Sequence, residues 1–309
     1  NFSTMTLSIS VVSSVRETSK SGTQFLDLGA NMTFSPEQMP LIKLNNGQQI
    51  PQLGLGVYKV AQAVAVDLIT AAIDKGYRRV DTAALYGNEA EIGEGIRRSS
   101  VAREEIFVTT KIWNDRQGYD STLVAIDESL ERLNIDYLDM LLIHWPCPTQ
   151  DKYLETWEAF QKAMEGGKIR GIGVSNFNPH HLERLIAAGG PVPALNQVEL
   201  HPGWQQKDVR AFNASQGVAT EAWSPLARGR YNDSPEVTSI AQKHGKTPTQ
   251  IVVRWHIELG NLVIPKTANH DRLAENIDVF DFSLDADDMA LFEKFDGGER
   301  VGPNPDDFG

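Results

Sequence analysis

The sequence predicts an α/β protein: a single closed (β/α)8 TIM barrel with an N-terminal β-hairpin as its floor and extra helices near the C-terminus. Three observations predict it. From Leu41 onward, short apolar strand-like segments alternate with helix-like segments, eight strands in all. Such alternation implies parallel pairing with both faces of the sheet covered. The chain has 309 residues, which suits one barrel of about 250 residues with extensions. Finally, the glycine-rich turn of an open doubly wound sheet is missing, since GLG at 54–56 and GIGVSN at 171–176 lack the third glycine and the helix context.

The hairpin is read from LIKL, then Asn45-Asn46-Gly47, then QQIP, with Asn and Gly supplying positive φ in the turn. Barrel strands are predicted at 52–56, 78–82, 105–111, 137–143, 169–174, 194–199, 217–223 and 261–265. Helices are predicted near 62–75, 88–99, 120–133, 153–166, 179–188, 206–214, 235–244, 248–259 and 270–276, with 248–276 holding one or two helices beyond the barrel's own. Residues 1–38 are Ser/Thr-rich and aperiodic, so they read as a flexible N-terminal extension, and 39–309 as one barrel domain opened by Met39. A targeting peptide is the lesser alternative, because Thr6–Val12 is a short, weak apolar run followed by Arg16 and Glu17.

Composition narrows the function classes. A hydrophobic fraction of 41% supports a substantial core, and a net charge of −12 argues against nucleic acid or an anionic membrane as partner. No apolar run approaches the ~18 residues of a membrane span. The one cysteine, Cys147, forms no internal disulfide and suits a reducing, cytoplasmic setting.

In a barrel of this kind, reactive groups sit at the C-terminal ends of strands and in the loops that follow. Asp81 closes RRVDT, Tyr86 lies in the next loop, Lys111 ends IFVTTK and His144 ends YLDMLLIH. Each has a bland reading: a helix cap, a core aromatic, a solvated amine, a satisfied core histidine. Four independent accidents at one end of three adjacent strands are a poorer account than one shared site. The chemistry available to them is specific. A phenol has an ordinary pKa of about 10. An ammonium beside it favours phenolate and is expected to lower that value. Lys111 supplies the charge, Asp81 holds the lysine, His144 donates toward the same oxygen, and Tyr86 protonates an oxygen on which negative charge develops. Carbonyl reduction needs this, and its hydride must come from a cofactor.

A second constellation provides for a cofactor. SNF at 175–177 and NQVE at 196–199 bring polar amides to the mouth, and EAWSPLARG at 221–229 brings Trp223. Lys266 and Thr267 end the last strand, and Arg272 follows on a helix. A helix N-terminus beside lysine and arginine is a natural phosphate site, although an exposed charge pair is the bland reading. A barrel metallohydrolase using His144, His201 and carboxylates is a rival, but no His-x-His or HExxH pattern supports it and no metal is expected. His180 and His181, at a helix start, read as solvated.

Over nearly the whole chain from Leu41, the motifs GYRRVDTAALYGNE, FVTTKIWN, LLIHWP, GKIRGIGVSNF, NQVELHP and IPKTANHDRLAEN resemble the aldo-keto reductase superfamily. The resemblance is greatest to the bacterial branch that includes 2,5-diketo-D-gluconate reductases. It implies a catalytic tetrad of Asp81, Tyr86, Lys111 and His144. It also implies NADPH as cofactor. The nicotinamide carboxamide would lie at Ser175, Asn176 and Gln197, with its ring on Trp223, where many members have tyrosine. Ser224 and Leu226 match the pyrophosphate path. Lys266, Thr267 and Arg272 match the clamp on the 2′-phosphate, with threonine where serine is common, and Glu275 and Asn276 lie near the adenine. Tyr58, Trp113 and Trp145 match substrate-pocket walls. Short loops after Trp113, at 224–234 and in the tail GPNPDDFG suggest an open pocket accepting many small carbonyl compounds. The implied activity is reduction of aldehydes and ketones, diketo sugar acids among them, by a monomer. An NADPH-binding regulatory subunit with weak catalysis is the alternative, disfavoured by the intact tetrad.

Overall fold

The computed structural model of the protein describes residues 34–309. The expected extension at 1–38 therefore lies mostly outside the described residues. Its last residues pack on the barrel: the Phe34 ring is 5.8 Å from that of Phe280, and Pro36–Gln38 form a 3-10 turn.

Strands β1 (Leu41–Lys43) and β2 (Gln49–Pro51) form the antiparallel hairpin, with Ile42 opposite Ile50. Only Gly47 takes the left-handed backbone its turn needs (φ 88°); the two asparagines do not. Leu44 and Ile50 of the hairpin are buried in one cluster with Phe107, Met140, Leu142, Leu195 and Leu262. The hairpin thus plugs the barrel at its N-terminal end. Burying a side chain of this size stabilises by roughly 1.5–3 kcal/mol.

The barrel strands are β3 (Leu55–Gly56), β4 (Arg79–Asp81), β5 (Phe107–Ile112), β6 (Met140–Ile143), β7 (Ile172–Ser175), β8 (Leu195–Glu199), β9 (Ala219–Trp223) and β10 (Leu262–Val263). They pair in parallel in chain order. Every residue of β5 to β8 is buried, as expected of strands covered on both faces. The seam closes where Leu53 bridges Val263 and Gly56 bridges Lys266. Glycine is required there, because a Cβ at Gly56 would lie 2.9 Å from the Ile264 carbonyl oxygen. The GLG stretch is thus the closure of the barrel.

Helices α1 (Gln62–Asp74), α2 (Glu89–Arg98), α3 (Tyr119–Leu133), α4 (Tyr153–Glu165), α5 (Pro179–Ala187), α6 (Lys207–Ser215), α8 (Pro248–Glu258) and α9 (His270–Ile277) surround the strands, and α9 packs on α1 to complete the ring. The two helices beyond the ring are α7 (Pro235–His244) and α10 (Ala286–Glu293), not helices within 248–276. The sequence reading lacks α10. Of its eight residues only Asp288 and Phe292 are buried, so its apolar periodicity is weak. It is instead fixed by a cap: the Asp285 carboxylate accepts the backbone amides of Asp287 and Asp288. Among the described residues, no helix is long and apolar enough to cross a membrane.

Candidate active site

The four candidate groups meet at the C-terminal mouth. Asp81 is the last residue of β4, Tyr86 ends the 3-10 turn Ala84–Tyr86, Lys111 is in β5 and His144 follows β6 directly. Lys111 is fully buried, and its ammonium donates to Asp81 Oδ1 at 2.5 Å, the Thr82 carbonyl at 2.9 Å and the Tyr86 hydroxyl at 3.5 Å. An ammonium has three hydrogens, so these contacts account for all of them. The Tyr86 oxygen accepts from the lysine, which leaves its own proton free to point elsewhere. The His144 ring stands edge-on to Tyr86, with centroids 5.9 Å apart.

Electrostatics correct one expectation. The Tyr86 pKa is raised, not lowered: burial is the dominant cause, and the Lys111 ammonium opposes it without overturning it. Burial also works against a charged Lys111, but Asp81 and its other neighbours outweigh that and hold the amine protonated. Burial, and then the nearby ammonium, push His144 well below its ordinary value, so it is a neutral imidazole at neutral pH. Its Nδ1 is buried without a partner.

The amides expected at the cofactor site form one network with this cluster. Ser175 Oγ donates to the Gln197 carbonyl at 2.8 Å. Asn176 Nδ2 donates to the His144 carbonyl at 3.0 Å, and Asn176 Oδ1 accepts from the Trp223 indole at 2.8 Å. Asn176 holds a left-handed backbone (φ 63°), which asparagine adopts more readily than most residues. Gln197 is engaged more deeply than expected: its Nε2 donates to Asp81 Oδ2 at 2.8 Å and to Glu221 Oε2 at 3.2 Å.

Beyond Trp223 the backbone is left-handed at Ser224, Ala227, Arg228 and Gly229, with Leu226 between them. Such loops turn consecutive amides into anion-binding concavities. Lys266 and Arg272 are exposed, and among the described residues neither is in an ion pair. Thr267 is buried and accepts the Asn269 amide at 3.0 Å. The first amides of α9 are already capped by Asn269 Oδ1. A phosphate here would be held by the two cations more than by the helix end. Glu275 Oε1 accepts from Thr247, and Asn276 is buried with Oδ1 unpartnered. Free cations, an anion-shaped loop and an orphaned acceptor all fit a phosphorylated dinucleotide.

Tyr58 and Trp113 line the mouth beside Tyr86 and His144, with centroid separations of 5.0 Å in each case. Trp145 does not face an open pocket. It is 6% exposed beneath Phe308, whose ring lies 4.5 Å from it and 6.3 Å from Trp113. The short tail folds across the mouth instead of leaving it open. Glu199 holds the tail, its carboxylate accepting the backbone amides of Val301 and Gly302. Neither contact was visible in the sequence, because the partners lie more than a hundred residues apart.

His181, expected to be solvated, is buried. Its Nδ1 accepts the Asn178 amide at 3.1 Å, so the neutral ring carries its proton on Nε2, facing Asp306. The cluster of His180, His181 and Asp306 has metal-like spacing. With the His181 Nε2 proton in place, that ring is a poor ligand.

A parallel barrel whose mouth gathers a phenol, an ammonium, a carboxylate and an imidazole, beside a loop and two cations that fit a phosphorylated dinucleotide, has the chemistry of a barrel oxidoreductase. Comparison with known proteins gives the family. The Aldo/keto reductase family pattern matches residues 52–296, and the chain belongs to that family. It is 49% identical over 267 residues to the glyoxal reductase of Bacillus subtilis, spanning 86% of this chain and 96% of the relative. It is 46% identical over 271 residues to the methylglyoxal reductase DkgA of Escherichia coli, spanning 87% and 98%. A crystal structure of a Gox0644 mutant in complex with NADPH superposes with a TM-score of 0.84 at 46% identity, over 87% of this chain and 98% of that one.

Proposed function

We propose that the protein reduces small aldehydes and ketones to alcohols with NADPH, Tyr86 acting as the acid. The observation that carries this reading is the Lys111 ammonium, held between Asp81 Oδ1 at 2.5 Å and the Tyr86 hydroxyl at 3.5 Å. NADPH, when bound, supplies the hydride to the carbonyl carbon. Tyr86 gives its proton to the carbonyl oxygen, and Lys111 stabilises the phenolate left behind. His144, neutral, donates one hydrogen bond to the same oxygen. Trp223 offers a face to the nicotinamide, Ser175, Asn176 and Gln197 its carboxamide partners, and Lys266, Thr267 and Arg272 the 2′-phosphate contacts that favour NADPH over NADH. All four tetrad members come from one chain, so this site needs no second copy.

The names of the two relatives support small 1,2-dicarbonyl compounds as substrates. The tail over Trp145 supports small substrates as well. Diketo sugar acids such as 2,5-diketo-D-gluconate are a second, bulkier class for the same pocket. The test is NADPH consumption with methylglyoxal and with 2,5-diketo-D-gluconate, for wild type and Tyr86→Phe. Turnover that falls by a factor of at least about 10² in the variant fits a general acid. Equal rates would remove Tyr86 from that role. Tight NADPH binding without turnover would favour a regulatory, cofactor-binding subunit.

A further inference from the structure

Two charged side chains deep in the lumen take no part in the scheme above. Arg79 and Glu221 are each 1% exposed, and Arg79 Nη1 lies 2.7 Å from Glu221 Oε1. Arg79 Nη2 also donates to the carbonyls of Gln52 and Val263, at 3.2 and 3.0 Å. The lumen of a (β/α)8 barrel is usually filled by branched apolar side chains. A buried ion pair can often be replaced by packed apolar residues without loss of stability. Stability alone therefore gives no reason for this pair.

Its neighbours give one. Gln197 Nε2 donates to Glu221 Oε2 at 3.2 Å and to Asp81 Oδ2 at 2.8 Å. A primary amide has two N–H groups, and both are committed to carboxylates. The amide is thereby locked with its nitrogen toward the lumen, and its remaining group is an acceptor. The second Asp81 oxygen receives Lys111. Arg79 and Asp81 are two residues apart on β4, so they share its inward face. Two cations and two anions are thus joined through one amide, and their charges sum to zero directly beneath the phenol.

Given the acid role proposed for Tyr86, we infer that the Arg79–Glu221 pair is a positioning device for the tetrad. It orients Gln197, which holds Asp81 against Lys111, and it balances the lumen charge that Tyr86 senses. Neither residue reaches the reacting atoms.

The experiment is a charge cycle of Glu221→Gln, Arg79→Met and the double variant, each made with and without Tyr86→Phe. The difference in tyrosinate ultraviolet absorbance between each pair, in protein without nucleotide, reports the Tyr86 titration directly. The pH profile of kcat is read in parallel. Glu221→Gln leaves one excess positive charge and should make the phenol more acidic. Arg79→Met leaves one excess negative charge and should make it less acidic. Each shift should be on the order of one pH unit, as for a unit charge ~10 Å away at an effective dielectric of about 20. The double variant should return to within about 0.3 pH unit of wild type. Single variants that shift in the same direction, or that alter only the unfolding midpoint, would make the pair merely structural and overturn the inference. If Arg79→Met does not fold, Glu221→Asp takes its place: it keeps the charge and should titrate like wild type, and a shift equal to that of Glu221→Gln would overturn the inference. A spectral shift that the kcat profile does not follow would instead refute the acid role of Tyr86 and leave the positioning role standing.

Discussion

Replacing Lys111 by methionine tests the link between geometry and rate most directly. The ammonium sits 3.5 Å from the Tyr86 oxygen. Two unit charges at that separation attract by about 5 kcal/mol at an effective dielectric of about 20. The phenolate charge is only partly developed in the transition state, and water entering the gap would recover some of the loss. A third to two-thirds of the attraction should then be forfeited, lowering kcat/KM by roughly 15- to 300-fold. The same change strands Asp81. It is 2% exposed and would keep only the amide of Gln197 as a polar side-chain partner. Breaking a buried pair costs about 3–5 kcal/mol. The double variant Asp81→Asn/Lys111→Met should regain most of that stability without regaining rate. Steady-state NADPH oxidation and urea unfolding of the three proteins separate the two effects. A Lys111→Met protein within about tenfold of wild-type kcat/KM would refute the claim that the ammonium stabilises the departing-proton state.

Three further outcomes follow from other parts of the molecule. Arg272→Ala should raise the Kd for NADPH by about tenfold or more, as for a lost charge-assisted hydrogen bond, and change that for NADH little; equal effects in a fluorescence titration would remove the phosphate clamp. Gly302→Ala should displace Trp223, because a Cβ there would overlap the indole, and a raised KM for NADPH with altered tryptophan emission would report it. His256 is buried, donates to the Pro225 carbonyl at 3.2 Å, and burial lowers its pKa from 6.5 to about 3. Between those two values the unfolded chain takes up a proton that the folded protein refuses. Stability should therefore fall by about 1.4 kcal/mol per pH unit from this residue as the pH drops below 6.5, and urea midpoints of His256→Gln should show a correspondingly flatter acid limb.

The barrel was legible because its central strands are unbroken apolar runs such as MLLI at 140–143, a pattern that only burial on both faces explains. The meeting of Asp81, Tyr86, Lys111 and His144 was legible because a strand end in such a barrel is an address: Asp81, Lys111 and His144 each lie at or within one residue of one. What the sequence withheld depends on distance through space. The direction of the Tyr86 pKa is set by burial, which no local spacing encodes. Glu221 reads as an unremarkable residue of EAWSPLARG until β8 and β9 bring it to Gln197. The contacts of Phe308 with Trp113 and Trp145 join the tail to strand ends far away in the chain. His181 looked solvated because two adjacent histidines at a helix start say nothing of the tail that covers one of them.

Burial and the ammonium pull the Tyr86 phenol in opposite directions, and in the proposed reduction the two pulls would serve different moments. An acid must still hold its proton when a carbonyl compound arrives. The raised pKa ensures that at neutral pH, where an isolated ammonium beside an exposed phenol would have begun to strip it. As the proton leaves, the group beside the oxygen becomes a phenolate, and Lys111 is already in place at no cost of reorganisation. His144 adds direction without charge, because burial keeps it neutral. A protonated imidazole would compete with Tyr86 as the acid and would repel Lys111. If Tyr86 is the acid as proposed, the same arrangement disfavours the reverse reaction at neutral pH, since alcohol oxidation would begin from phenolate. Oxidation should therefore rise with pH over the range in which reduction falls, the two limbs crossing at the titration of one phenol.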